Sequence, residues 1–155
     1  MFMVQHSRRT LLLAAWYGLY QAVHIPVNVR GLLLLRGRGA LDFPAPPPPE
    51  GWDAQVLAFF TGMAALDLLN ALLSLVFVWG LFTGRRWALP LGLVTLTVSV
   101  YAALVFDYAT YAAGAWRPPA LGAYIFINVA FVPALWLYGQ LLNRVLRSGF
   151  QGGLR

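Results

Sequence analysis

The sequence predicts an all-α fold, a polytopic integral membrane four-helix bundle with both termini cytoplasmic. Three observations predict it: the apolar content, the spacing of the charges and the position of the helix breakers. Of 155 residues, 60% are hydrophobic and 10% charged, against about 25% charged in a soluble domain. So short a chain cannot bury that many apolar side chains in one water-facing globule. A soluble enzyme, a disordered tail and a disulfide scaffold are all excluded on this ground. Twenty uncharged residues separate Arg9 from Arg30, twenty separate Arg86 from Asp107, and twenty-six separate Arg117 from Arg144. The stretch from Ala54 to Gly84 is interrupted only by Asp67. About 20 mainly apolar residues cross a hydrocarbon core of about 30 Å, and in lipid each such segment must satisfy its own backbone as a helix.

The first helix is expected over 11–34. Ser7-Arg8-Arg9-Thr10-Leu11-Leu12-Leu13 has the outline of a twin-arginine export signal. The stretch that follows contains Tyr17, Gln21, His24, Pro26 and Asn28 and lacks a small-residue cleavage site, so a retained helix is expected. An outer loop over 37–54 follows. Its Phe43-Pro44-Ala45-Pro46-Pro47-Pro48-Pro49 run cannot continue a helix and acts as a stiff spacer. The second helix is expected over 55–82, ended by Gly84-Arg85-Arg86. The third is expected over 88–111, ended by the turn from Gly114 to Pro119, and the fourth over 121–143. A mobile tail is expected over 148–155. One membrane domain with no internal repeat accounts for the whole sequence.

Four crossings place both termini on one side. That side carries Arg8, Arg9, Arg85, Arg86, Arg144, Arg147 and Arg155; the other carries Arg36, Arg38 and Arg117, with Arg30 near it. The arginine excess predicts cytoplasmic termini. All eleven basic residues are arginine, and the loops are terse, which points to a bacterial inner membrane. A net charge of +6 would suggest nucleic acid in a polar protein. Here the arginines flank apolar runs, so no nucleic-acid partner is expected.

Polar residues within the spans are the candidates for function, because a lipid-facing polar group is costly and such groups turn inward. Tyr17, Gln21, His24 and Asn28 share one face of the first helix, and Asp67, Asn70 and Ser74 share one face of the second. The third helix offers Thr95, Ser99 and Asp107, and the fourth offers Tyr124 and Asn128. Prolines at 26 and 133 predict kinks in the first and fourth helices. At about 1.5 Å per residue, Asp67 lies roughly 18 Å below the outer end of its helix, near mid-membrane. His24, Asn28, Asn128 and Asp107 lie at that depth or above it, whereas the cytoplasmic half is mostly Leu, Val, Phe and Ala. A pocket closed below and open towards the outer side is expected. Tyr17, Trp52, Trp87 and Trp116 at the span ends read as interface anchors, while Trp79 and Trp136 lie deeper, as core or cavity wall.

Several chemistries are excluded. A haem between helices needs two buried histidines, and only His24 is within a span; His24 with Asp67 is too few ligands for a metal. The chain has no cysteine and no Gly-rich nucleotide loop, and Ser74 and Ser99 are the only serines at depth for a triad. No cofactor is expected. No ring of like charges is present to make an ion channel from one copy.

Tyr20-Gln21-Ala22-Val23-His24-Ile25-Pro26 resembles the His-Ile-Pro segment in the first helix of sigma-2 receptor-like proteins. A Pro-rich loop with Gly51-Trp52 then precedes a helix bearing an acid, Asp67. Tyr124-Ile125-Phe126-Ile127-Asn128, followed by Pro133, is similar to the last helix of emopamil-binding proteins. Together these resemble the EXPERA-domain group over roughly residues 11–145. That resemblance implies a four-helix core, cytoplasmic ends and a pocket for sterols or lipophilic amines. Two departures stand out. Leu32 occupies the position of the second acid in the sigma-2 pattern, and the glutamates of the isomerase pattern are absent, leaving Asp67 and Asp107 as the acids available.

These observations lead to one expectation, a protein that binds a lipophilic small molecule (a sterol-like, isoprenoid or related lipid). His24 and Asp67 are its polar anchors, and the acid and base of an isomerase if it is an enzyme. Gln21, Asn28, Asn70, Asp107, Tyr124, Asn128 and Trp136 would complete the ligand-binding shell. The alternative is a non-catalytic accessory subunit, as a homodimer or in a larger membrane complex, whose polar stripes satisfy one another.

Overall fold

The computed structural model describes residues 6–38, 47–48 and 50–152, with the side chains of all of these except 38 and 148–152. Four helices make up the described chain: α1 (Arg8–Arg38), α2 (Ala54–Phe82), α3 (Ala88–Ala112) and α4 (Leu121–Gly152). Each helix boundary has a local chemical cause. Ser7 caps α1, its hydroxyl accepting from the Thr10 backbone N–H at 3.2 Å. Asp53 caps α2, its carboxylate accepting from the Val56 N–H at 2.8 Å. The α2 and α3 C-termini close with the same motif. Gly84 and Gly114 take left-handed φ values of 65° and 72°. The following Arg85 and Ala115 N–H groups then reach back to the carbonyls of Gly80 and Thr110. A side chain at either glycine would strain that turn.

The helix contacts define the arrangement. Asn28 meets Asp67, Phe77 faces Gly92, Asn128 meets Asp107 and Thr10 meets Gln140. Low numbers in one helix thus meet high numbers in the next, so every neighbouring pair is antiparallel. The helices touch in the cyclic order α1–α2–α3–α4, with α4 closing back onto α1 and no backbone approach across either diagonal. The N-terminus of α1, the α2–α3 turn and the C-terminus of α4 share one end.

Three helices, α2, α3 and α4, are long and apolar enough to cross a membrane. On average hydropathy α1 falls short of that, because Gln21, His24 and Asn28 lie within it. Gln21 and Asn28 are buried and His24 is half-buried, whereas the outer face of α1 shows Leu12, Trp16, Leu19, Val23, Val29 and Leu33. The other helices also turn large apolar side chains outward, among them Leu66 and Leu69, Val94 and Leu104, and Phe126 and Val129. Their polar residues Asn70, Ser74, Thr95 and Ser99 are buried. An apolar exterior around a polar centre is the mark of a protein whose solvent is lipid.

One expectation needs correction. The fourth helix does not stop at residue 143: α4 runs to Gly152 and includes residues 148–152 of the expected tail, because no proline or turn interrupts it there. Both α1 and α4 continue through their prolines, Pro26 and Pro133. Residues 39–46 and 49 of the outer loop, and 153–155 of the tail, lie outside the described residues.

The core has two parts. At the end that holds the α2–α3 turn, Ala14, Phe77, Leu81, Ala88, Leu96, Ala134, Leu137 and Leu141 fill the bundle solidly. Gly92 lies under the Phe77 ring and Gly80 under Trp87, so close that a methyl at either position would overlap the indole or phenyl atoms. At the other end an aromatic cluster covers the bundle. Trp52 sits edge-on to Phe60, Phe60 contacts Phe106, Phe106 contacts Tyr124, and Trp116 stacks on Tyr124 with centroids 5.3 Å apart.

Candidate functional site

Between these two cores lies a cavity of about 110 Å³. All four helices line it. Tyr20, Gln21, His24, Val27, Asn28, Gly31 and Leu35 come from α1, and Phe60, Met63, Ala64 and Asp67 from α2. Ser99, Ala102, Ala103, Phe106 and Asp107 come from α3, and Ile127, Asn128 and Phe131 from α4. The helical period accounts for this convergence: residues three or four apart share a face, and that face is the one each helix turns inward.

The floor is a hydrogen-bonded hub on Ser99, whose hydroxyl oxygen accepts from the Gln21 side-chain amide at 3.0 Å and from the Asn70 amide at 2.9 Å. With its lone pairs engaged, Ser99 donates its own proton to the Tyr17 hydroxyl oxygen, 2.8 Å away. Tyr17 then donates to Ser74 at 2.8 Å, and Ser74 donates to the Asn70 carbonyl at 2.7 Å. The Thr95 carbonyl, 3.5 Å from the Tyr17 hydroxyl, is a second and longer acceptor for its proton. Tyr17, Ser74 and Thr95 are wholly buried, and the hub joins α1, α2 and α3 across a diagonal where no backbones meet.

Gln21 extends the hub into the cavity. Because its amide nitrogen serves Ser99, its carbonyl oxygen faces His24 Nδ1 at 3.3 Å. His24 therefore carries its proton on Nδ1, and Nε2 keeps the basic lone pair. The Tyr20 ring stands edge-on to the imidazole, with centroids 4.6 Å apart, and rests on Phe131.

The two carboxylates have matching settings. Asn28 donates to an oxygen of Asp67 at 3.0 Å, tying α1 to α2. Asn128 donates to an oxygen of Asp107 at 3.1 Å, tying α4 to α3, while also donating to the Tyr124 carbonyl. Each carboxylate thus has one oxygen on a neutral amide, and among the described residues none of the hydrogen bonds occupies the other. Among those residues no cluster of three or more ligating side chains could hold a metal ion.

Of the residues expected from sequence, His24, Asp67, Gln21, Asn28, Asp107 and Asn128 come together around the one cavity. Asn70 does not line it; the amide lies in the hub beneath. Tyr124 does not line it either. It is wholly buried in the aromatic cluster, and its hydroxyl has no hydrogen-bond partner among the described residues. Trp136 is remote from the cavity: its ring is 52% exposed on the outer face of α4, under the Arg9 guanidinium. Trp79 is likewise exposed. Both rings project outward, while the inward positions beside them are held by Gly80 and Leu81 on α2 and by Ala134 and Leu137 on α4. Tyr17 is not an interface anchor but the centre of the hub. Its membership of the Gln21–His24–Asn28 face was the signal for that. Ser99, whose single hydroxyl joins three helices, had no sequence signal beyond its polarity. Compared with protein families, curated proteins and solved structures, the chain matches none.

Proposed function

We propose that all four helices cross the membrane and that the protein binds the polar head of a lipophilic small molecule, a sterol-like or isoprenoid lipid, in the cavity between them. The observation that carries this is the donor–acceptor balance of the cavity wall. Two carboxylates, each with an oxygen to spare, and the Nε2 lone pair of His24 present acceptors in an apolar bundle. Acceptors that face a cavity within an apolar bundle are costly without donors, and a hydroxyl or other donor on a ligand head supplies one. A volume of about 110 Å³ holds such a head and not a whole sterol, because small-molecule sites span about 300–1,000 Å³. The apolar body therefore lies between helices or in the bilayer.

The same groups make an acid–base pair for isomerisation of a double bond. One group protonates a carbon while another removes a proton elsewhere, with His24 and Asp67 in those roles. Membership of the EXPERA group, cytoplasmic termini and a bacterial inner membrane complete this reading. The full chain, purified in mild detergent and examined by native mass spectrometry, should retain one sterol-like or isoprenoid lipid per protein. Asp67→Asn should lose that lipid while circular dichroism stays unchanged. His24→Ala should retain it and abolish any turnover of it. Protein free of lipid but held to a partner subunit would overturn the proposal in favour of an accessory subunit.

A further inference from the structure

The carboxylates of this molecule are segregated by end. Glu50 and Asp53 stand at the head of α2, and Asp67 and Asp107 line the cavity. The opposite end carries Arg8, Arg9, Arg85, Arg86, Arg144 and Arg147, and among the described residues it carries no carboxylate. Two of these arginines lie over exposed indoles, Arg85 at 5.9 Å from the Trp79 ring and Arg9 at 4.0 Å from that of Trp136.

The Arg9 site is built into the seam between α1 and α4. Thr10 donates to the Gln140 side-chain oxygen at 3.1 Å, and Arg144 donates to His6 Nδ1 at 2.9 Å, pinning the two helix ends together. A guanidinium resting its face on an indole keeps its in-plane N–H groups free for a planar, bidentate acceptor. Trp136 precedes Arg144 by eight residues, about 12 Å along the helix. The Arg9 charge is thus drawn inward to a surface where Val132 and Leu135 are exposed. A cation at the edge of the hydrocarbon needs a counter-charge, and the described protein provides none. The bilayer does.

We infer that the α1–α4 seam at the arginine end is a binding site for the headgroup phosphate of an anionic phospholipid, with Arg9, held on Trp136, as its bidentate donor. Six arginines without acids select a net-negative lipid over a zwitterionic one, since each basic residue near an anionic surface favours it several-fold. This site is independent of the cavity: Asp67→Asn leaves it unchanged.

The test uses the full chain in detergent with equimolar phosphatidylglycerol and phosphatidylcholine, read by native mass spectrometry. Wild type should retain phosphatidylglycerol in preference, and Arg9→Gln should lower the ratio of the two retained lipids about fivefold. Trp136→Leu should lower it in the same direction by releasing the guanidinium. Arg117→Gln, which removes the same charge from the opposite end, should leave it unchanged. Arg9 is exposed, so circular dichroism should be the same for all four proteins. Equal retention of both lipids by wild type, or an unchanged ratio in Arg9→Gln, would overturn the inference. Displacement of phosphatidylglycerol by excess inorganic phosphate would overturn it too, in favour of a free-anion site.

Discussion

Tyr17 shows how much one hydroxyl can organise in this bundle. It accepts the Ser99 proton and donates to Ser74, so Tyr17→Phe leaves a buried donor and a buried acceptor unmatched at once. An unsatisfied buried group costs about 1–3 kcal/mol, and hydrogen bonds between membrane helices average about 0.6 kcal/mol. We expect Tyr17→Phe to destabilise by about 1 kcal/mol in a denaturing-detergent titration, with the larger effect on the α1–α2–α3 contacts. His6 makes a second prediction at this scale, outside the spans. Burial, and secondarily the Arg144 charge, hold its imidazole below the ordinary 6.5. The unfolded chain therefore binds the proton more readily than the folded one. The His6–Arg144 contact is fully present above pH 6.5 and is lost as the pH falls below that value. Hydrogen-exchange protection of the first turn of α1 should drop between pH 7.5 and 5 in wild type, and much less in His6→Gln.

At the scale of the helix, the packing of α2 on α3 depends on glycine. A methyl on Gly92 would overlap the Phe77 ring, which is itself wholly buried, so neither partner can step aside. Gly92→Ala should cost about 1–3 kcal/mol, as overpacking does; Gly62→Ala, where nothing lies within 4 Å, should be neutral in the same titration. The four helices were legible in the sequence because breakers and charges bound each apolar run, and the boundaries of α2 and α3 fall within a residue of expectation. The inward stripes were legible for the same reason that helices are periodic: Gln21, His24 and Asn28 can only share a face. Tyr17 was misread because tyrosine near a span end also suits the lipid interface, and only its neighbours distinguish the two. Trp136 was misread because depth along a helix does not give the direction of the side chain. The Ser99 hub was beyond reach, since which helices stand diagonal to one another is a property of lateral order and not of any one segment. On α4 the Ala130 carbonyl accepts from the Trp16 indole at 2.9 Å, a cross-helix bond that no local pattern encodes.

For the whole molecule, the antiparallel ring makes a topological prediction. Every helix runs against its neighbours, so Ser7 and Arg85 lie at one end and Glu50 at the other. If α1 crosses with the rest, Ser7→Cys and Arg85→Cys should react from the same side with a membrane-impermeant maleimide, and Glu50→Cys from the opposite side. The natural chain has no cysteine, so the labelling background is clean. Labelling of Ser7→Cys from the Glu50 side would leave α1 outside the set of crossings, as its hydropathy alone suggests.

The Ser99 hub also has an evolutionary consequence. Because it indexes three helices at a single level, turning or sliding any one of them breaks several bonds together, and their register does not rest on the cavity lining alone. The rest of the lining, apart from the Asn28–Asp67 and Asn128–Asp107 ties, is then free to diverge. A descendant could trade one guest for another by changing those side chains alone, keeping the keyway that locks the shafts in register.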